Sequence, residues 1–428
     1  MEEERALLGI VVQKYGGSSV STAEKYRRVA RRIAWRRQQG YDLVVVVSAP
    51  GDMTDDLIER AKGVSRRPSA REMDVLLSTG EQISIALLAM ALHELGVPAV
   101  SLTGPQAGFR TDDNHRAARI QHIDTTRIRE ELAGGKVVIV AGFQGLDDHG
   151  DITTLGRGGS DASAIALAAY LGAEACQIFT DVDGVYSADP RLVPTAGRLD
   201  EIAYDEILEL AAAGAQVMQL RSVELAKQYG VEFEVLSSLA PLPDEGGEER
   251  GTKVVAHLSP SNPRIVSGVA VDSKVAHITL VGLPDRPGVA YRAFKALGDA
   301  KINLDMIVQS VGTANGNGPT ADISFTCARD DLDLALEVCN GLLPEFPGAR
   351  VVYDTDVAKV SIVGSGVASN YGVAATMFEA LAEKGINIEL ITGSEIKISC
   401  LVRASQAVEA VRAVHDKFQL GKLAPVVQ

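Results

Sequence analysis

The sequence predicts an α/β chain: an N-terminal doubly wound, mostly parallel sheet followed by two small α+β units. Three observations point there. Apolar runs of strand length alternate with helical patterns from Gly9 to about His257. The run Leu43-Val-Val-Val-Val47 is apolar without alternation, as expected for a strand buried on both faces of a parallel sheet. The remainder carries an internal repeat in which each copy reads strand, loop, helix, strand.

Composition narrows the function classes. A length of 428 residues suggests two or three domains, and 46% apolar residues can fill their cores. A formal net charge of −14 argues against nucleic acid or an anionic membrane surface as partner. No apolar run approaches the length expected of a membrane span, and Met1-Glu-Glu-Glu-Arg5 is unlike the start of a signal peptide. Cys176, Cys327, Cys339 and Cys400 are scattered in apolar stretches without metal-ligand spacing. Buried free thiols and a cytoplasmic location are therefore expected.

Taken in order, Gly9–Tyr15 reads as a strand broken by Gly16-Gly-Ser-Ser19. A helix follows from about Thr22, with Tyr26, Val29, Ala30 and Ile33 at helical spacing. Its arginines (Arg27, Arg28, Arg31, Arg32, Arg36, Arg37) read as a solvated face. Residues 43–48 form the next strand and end in Ala49-Pro-Gly-Asp52. Ala70–Leu95 is helical, interrupted at Ser78-Thr-Gly-Glu81. Ala99–Leu102, Lys136–Ala141 and Ala175–Thr180 are further strands. The loops 15–19, 48–52, 142–145 and 180–184 each follow a strand, and ligands of such sheets bind at the strands' carboxyl ends. The acidic, Gly-rich stretch Leu242–Gly251 reads as an exposed loop, and Ser259–Pro263 as a linker. In the repeat, Ile278–Gly282 and Ile302–Ile307 correspond to Val360–Gly364 and Ile386–Ile391, with further strands at Ala321–Thr326 and Glu395–Val402.

The stretch Thr154-Leu-Gly-Arg-Gly-Gly-Ser-Asp161 carries the strongest chemical signal. A Gly-rich turn delivers Arg157 and Ser160 to the start of an apolar helix that ends at Gly172, with Ser160 or Asp161 placed to cap it. Helix N-termini favour anions through free N–H groups and the dipole. Lys14 sits at a strand end before two glycines, where it can place charge on phosphate oxygens. Neither the Walker signature nor the dinucleotide Gly-x-Gly-x-x-Gly is present. On these residues alone, phosphoryl transfer is one reading, and a tight loop before a core helix is the other.

Lys14-Tyr-Gly-Gly-Ser-Ser19, Val47-Ser-Ala49, Ser78-Thr-Gly-Glu81, Ala141–Gly145, Thr154–Asp161 and Thr180-Asp-Val-Asp-Gly-Val-Tyr-Ser-Ala-Asp-Pro-Arg191 together resemble aspartate kinase, in that order. The C-terminal repeat resembles that family's paired ACT domains. The resemblance implies an amino-acid-kinase (carbamate-kinase-like) catalytic domain over 8–258 and two ferredoxin-like ACT domains over 265–350 and 351–425. It implies transfer of the γ-phosphoryl of ATP to the β-carboxylate of L-aspartate, with Mg²⁺, as the first step towards lysine, threonine and methionine. Lys14 and Asp161 would be catalytic. Lys14, Tyr15, Gly16, Gly17, Ser48, Thr180, Asp181, Tyr186, Asp189, Pro190 and Arg191 would hold ATP. Thr54, Glu81, Arg157, Gly158, Gly159 and Ser160 would hold aspartate, with Glu81 on its ammonium and Arg157 on its α-carboxylate. Asp285, Asn303, Asn387, Ile388, Gly393 and Ser394 would bind lysine and/or threonine. No residue is assigned as a metal ligand. A homo-oligomer, at least a dimer, or an assembly with a separate regulatory chain is implied. The sequence departs from the family pattern at Ser365–Tyr371, Thr392–Ser394 and Pro50. A kinase of another acidic amino acid, or an amino-acid-sensing subunit, are the alternatives. Glu81 argues against the first, and the intact Lys14, Arg157 and Asp181 against the second.

Overall fold

The computed structural model describes residues 8–215, 218–242, 245–247, 249–260, 264–311 and 319–421. It divides into two compact units. The first takes the described residues of Met1–Val185, Arg198–Leu208 and Gln216–Pro260; the second takes those of Tyr186–Gly197, Glu209–Ala215 and Ser261–Gln428.

The first unit follows the alternation in the sequence: β1 (Ile10–Tyr15), α1 (Ala23–Gln38), β2 (Asp42–Val47), α2 (Met53–Val64), α3 (Ala70–Leu77), α4 (Thr79–Glu94), β3 (Ala99–Leu102), β4 (Phe109–Thr111), β5 (Ile120–Ile123), α5 (Thr126–Ala133), β6 (Val137–Ala141), β7 (Gln144–Leu146), β8 (Ile152–Thr154), α6 (Gly159–Leu171), β9 (Ala175–Thr180), β10 (Glu201–Ala203), α7 (Tyr204–Ala212), α8 (Leu220–Tyr229), β11 (Phe233–Ser237) and β12 (Gly251–Val255). An eight-stranded sheet runs β10-β12-β11-β9-β1-β2-β6-β3. It is parallel throughout except where β11 meets β12. Every residue of β2 is buried, as its unbroken apolar run predicts. A second sheet, β5-β4-β7-β8, carries the hairpin that leads into α6.

Helix α1 starts at Thr22, whose side chain accepts the Lys25 amide, and buries Tyr26, Val29, Ala30 and Ile33. Its basic face is not all solvated. Arg32 is 2% exposed; its guanidinium lies 4.9 Å over the Phe179 ring and 3.5 Å from Glu249. A guanidinium stacked on an aromatic face and paired with a carboxylate tolerates burial. Helix α6 buries ten of its thirteen residues and is apolar all round, which suits a core helix. The stretch Ala70–Glu94, against expectation, is long and apolar enough by composition to cross a membrane. It is two helices meeting at Ser78, half of its most apolar stretch is buried, and it holds the buried carboxyls of Asp74 and Glu81. One face of α4, with Ile85, Leu88, Ala89 and Leu92, packs into the core, while Ile83, Leu87 and Met90 on it are exposed.

The second unit holds β13 (Gly268–Asp272), β14 (Val275–Pro284), α9 (Val289–Asp299), β15 (Leu304–Val311), β16 (Thr320–Ala328), α10 (Leu332–Leu342), β17 (Arg350–Asp354), β18 (Val357–Val363), α11 (Val373–Glu383), β19 (Leu390–Gly393), β20 (Lys397–Arg403) and α12 (Ala407–Lys417). The repeat forms two four-stranded sheets, β15-β16-β14-β17 and β13-β18-β20-β19. Each draws an edge strand from across the repeat boundary. Gly268 pairs with Val363 and Val281 with Arg350, so β13 closes the second sheet and β17 the first. All four cysteines are buried and free.

Candidate active site

Strands β9, β1, β2 and β6 lie side by side and parallel, so the four loops leaving them share one edge. Lys14 is the penultimate residue of β1 and 8% exposed. Its Nζ lies 2.6 Å from Asp161 Oδ1, in the first turn of α6. A buried lysine is tolerable only with such a partner. The ammonium has three donors, so the pair leaves others for a ligand. Asp161 also sits where the α6 dipole favours negative charge.

The glycine loops close around this pair. Gly16 donates its amide to Phe179 O at 3.4 Å, and Gly51 donates to Gly17 O at 3.0 Å. Ser48 donates to Tyr15 O at 3.1 Å. Thr54 lies in the first turn of α2, just beyond the loop 48–52. Tyr15, expected among the nucleotide residues, is a core residue: its ring stacks on Phe179 at 4.7 Å and its hydroxyl donates to Gln13. Full burial keeps that side chain from any ligand.

Glu81 opens α4 from the other side. It is 3% exposed, and Oε1 accepts the Ala49 amide at 3.1 Å. Oε2 is buried with no hydrogen-bond partner among the described residues. Burial pushes its carboxyl from an ordinary 4.5 up to about 7. Gly80 permits this approach, since a Cβ there would lie 2.7 Å from the Ala49 Cβ.

The arginine loop runs from Leu155 into α6. The helix begins at Gly159 and its cap is Gly158, without a side-chain bond from Ser160 or Asp161. Gly158 has φ +71°, and a Cβ there would lie 2.5 Å from the Gln219 Cβ. A left-handed backbone and crowding by Gln219 at the start of α8 both require glycine, so the chain caps two or three residues earlier than hydroxyl chemistry predicts. Ser160 and Asp161 are thereby freed for other contacts. Arg157 is exposed and its guanidinium pairs with nothing among the described residues. Thr180 ends β9 and donates to Asp181 Oδ1 at 3.0 Å. Tyr186, Asp189, Pro190 and Arg191 fall in the second unit, where the Arg191 guanidinium forks onto Asp189 at 2.7–3.1 Å. His115, Asp147 and Asp151 have the spacing of metal ligands. Contacts to Asp74, to the His149 and Asp151 amides, and to Arg71 already engage them.

A model of the amino acid kinase family matches residues 9–237, and one of ACT domains matches 278–341 and 360–418. An aspartokinase of Geobacillus stearothermophilus is 50% identical over 421 residues, 98% of this chain and 100% of its own. One of Mycolicibacterium smegmatis is 49% identical over 97% of both chains. The chain belongs to the aspartokinase family. Among solved structures, E. coli aspartokinase III in complex with aspartate and ADP is similar at 26% identity and a TM-score of 0.73, over 95% of this chain and 99% of its own. The same protein in complex with lysine and aspartate matches with the same identity and TM-score, over 96% and 99%.

In this aspartokinase the residues expected at the effector sites are spread over the turns of the second unit. Asp285, Asn303, Asn387, Gly393 and Ser394 are exposed and Ile388 is half-buried. Strands β15 and β19, one edge from each sheet, lie near one another, which brings the segments after Asn303 and before Ser394 into one neighbourhood. The sequence missed Lys359, which is buried in β18 and pairs with Asp305 of β15 at 2.6 Å. A lysine inside an apolar strand carries no local mark of its partner.

Proposed function

We propose that this aspartokinase transfers the γ-phosphoryl of ATP to the β-carboxylate of L-aspartate, giving 4-phospho-L-aspartate. The observation that carries the substrate reading is Glu81: a buried carboxylate with one oxygen fixed and the other unpartnered. An incoming ammonium satisfies that oxygen; an acylated nitrogen brings no charge to meet it. Arg157, unpaired on the Gly-rich loop, suits the α-carboxylate through its planar fork. The β-carboxylate is ionised at neutral pH and needs no general base. Catalysis is then positioning and charge neutralisation, with Lys14 held by Asp161 at the point where phosphoryl charge develops. Gly16, Gly17 and Ser48 offer backbone around the phosphates. Mg²⁺ belongs to this reading and neutralises phosphate charge when bound; Asp181, exposed with one oxygen free of partners among the described residues, is the carboxylate that fits it, since Mg²⁺ sites commonly use one or two carboxylates with water and phosphate.

The regulatory part of the proposal is feedback by lysine, with or without threonine, through the paired ACT sheets. The lysine complex of the E. coli relative and the adjacency of β15 and β19 support it. An effector that binds one arrangement of the pair better draws the enzyme there. At least a dimer is part of the reading, supported by the edge strand β17, which exposes Val352 and Tyr353. So is a reducing cytoplasmic setting, supported by the four buried free cysteines.

ADP release with ATP and Mg²⁺ tests both parts. Turnover with L-aspartate, none with L-glutamate or N-acetyl-L-aspartate, and suppression by lysine are expected. Turnover with glutamate alone would overturn the substrate, and indifference to lysine and threonine would overturn the feedback.

A further inference from the structure

Asp74 belongs to none of the motifs above, yet its carboxylate in α3 is fully buried. Burying a carboxylate is costly unless its oxygens are met, and here they are. Oδ1 accepts the Thr154 hydroxyl at 2.6 Å and the Arg116 amide at 3.2 Å. Oδ2 accepts the same amide at 3.0 Å and the His115 Nδ1–H at 2.8 Å. Acceptance by the carboxylate places the His115 proton on Nδ1.

These partners converge on the loop that carries Arg157. Thr154 ends β8 immediately before that loop. His115 and Arg116 lie on the connection between β4 and β5, where Arg116 has φ +68°. The Arg116 carbonyl would lie 2.9 Å from a Cβ on Gly156, so the connection presses on the loop itself. The Ala118 amide donates to Thr154 O at 2.9 Å. On the other flank Arg221 of α8 donates to Leu155 O and Ala118 O, each at 2.5 Å, and the Ser222 hydroxyl donates to Gly158 O at 3.1 Å. The backbone from Thr154 to Gly158 is thus held from both sides, while the Arg157 side chain is left free.

We propose that Asp74 is a positioning residue for aspartate. Through Thr154 and the 115–118 connection it fixes the backbone from which Arg157 reaches the substrate carboxylate. This rests on the assignment of Arg157 to that carboxylate. A forked guanidinium–carboxylate contact is sensitive to placement, and a shift of about 1 Å can cost ~100-fold in rate.

The test uses the full chain and four variants: Asp74→Asn, Thr154→Val, Thr154→Ser and Arg157→Lys. Steady-state KM for aspartate and for ATP is measured with kcat, and thermal unfolding reports folding. Thr154→Val deletes the hydroxyl at nearly constant shape, whereas Thr154→Ser keeps it. Asp74→Asn and Thr154→Val are expected to raise the aspartate KM about tenfold or more, with the ATP KM within about twofold, and Thr154→Ser to stay near the parent. A purely structural role would move both KM values together or neither, and either result in a folded variant overturns the proposal. If Asp74→Asn does not fold, the Thr154 pair alone decides. Arg157→Lys separates the two layers. An unchanged aspartate KM in that variant removes the Arg157 assignment. A raised one beside a silent Thr154→Val removes the role of Asp74 and leaves Arg157 in place.

Discussion

Replacing Glu81 with glutamine should stabilise the protein and disable it in the same stroke. The carboxyl is 3% exposed, and burial holds it near 7 instead of 4.5. Between those two pH values the folded chain keeps a proton that the unfolded chain has released. Stability therefore falls as pH rises from 4.5 to 7 and levels off above, once Glu81 is charged in both states. At about 1.4 kcal/mol per tenfold change in ionisation, the charged, unliganded site costs the fold roughly 3 kcal/mol. Glutamine removes that cost and keeps the bond from Ala49. The expected gain in Tm is smallest at pH 5, where only about a quarter of the cost is present, and largest above pH 7, at about 2–4 °C per kcal/mol. Differential scanning fluorimetry from pH 5 to 8 reads it directly. The same variant should raise the aspartate KM about 100-fold, since a charge-assisted contact of ~2–3 kcal/mol is lost, and leave the ATP KM unchanged. In the parent, kcat/KM for aspartate should decline below pH 7, because the ammonium needs the ionised form. Parallel Tm curves for parent and variant across this range would refute the reasoning.

Lys14→Ala should lower kcat by about 10²–10³-fold while lysine binding, measured by calorimetry, persists. Unchanged turnover would remove Lys14 from the mechanism. Gly158→Ala should cost roughly 1–2 kcal/mol for the left-handed backbone, plus a clash with Gln219, and weaken aspartate more than ATP; an unchanged Tm and KM would show that α8 yields. Asp305→Ala leaves the Lys359 ammonium buried without its carboxylate, which should destabilise the protein by about 1–3 kcal/mol in thermal unfolding; no loss would mean that Lys359 finds another acceptor.

What the sequence disclosed and what it withheld divide along a physical line. Features set by neighbours in the chain were legible: the valine run of β2, the breaks after each strand, and the lysine before two glycines. The shared edge of the catalytic loops followed from topology rules that hold for any doubly wound sheet. Features set by distant partners were not. Arg32 looks like a member of a solvated stripe until Phe179 and Glu249 are brought over it. Tyr15 sits inside a phosphate-loop motif, yet Phe179 on the next strand claims its ring. Ser160 has the chemistry of a helix cap, but the crowding of Gln219 against Gly158 starts the helix earlier. Asp74 draws its partners from two distant segments, 115–116 and 154, and no spacing within α3 announces them.

The strand exchange in the second unit bears on how this protein can be made and divided. On the ribosome β13 emerges before the whole first repeat, and its partner β18 only after it. The first sheet can close as soon as β17 appears. The second waits on a long-range pairing, which is slow and leaves an open edge meanwhile. A gene cut between residues 349 and 350 would give one fragment with β13 orphaned and β17 missing, and another with the reverse. Neither fragment is complete, but each carries what the other lacks. Co-expressed, they should reassemble by trading strands, whereas either alone should self-associate through its vacant edge.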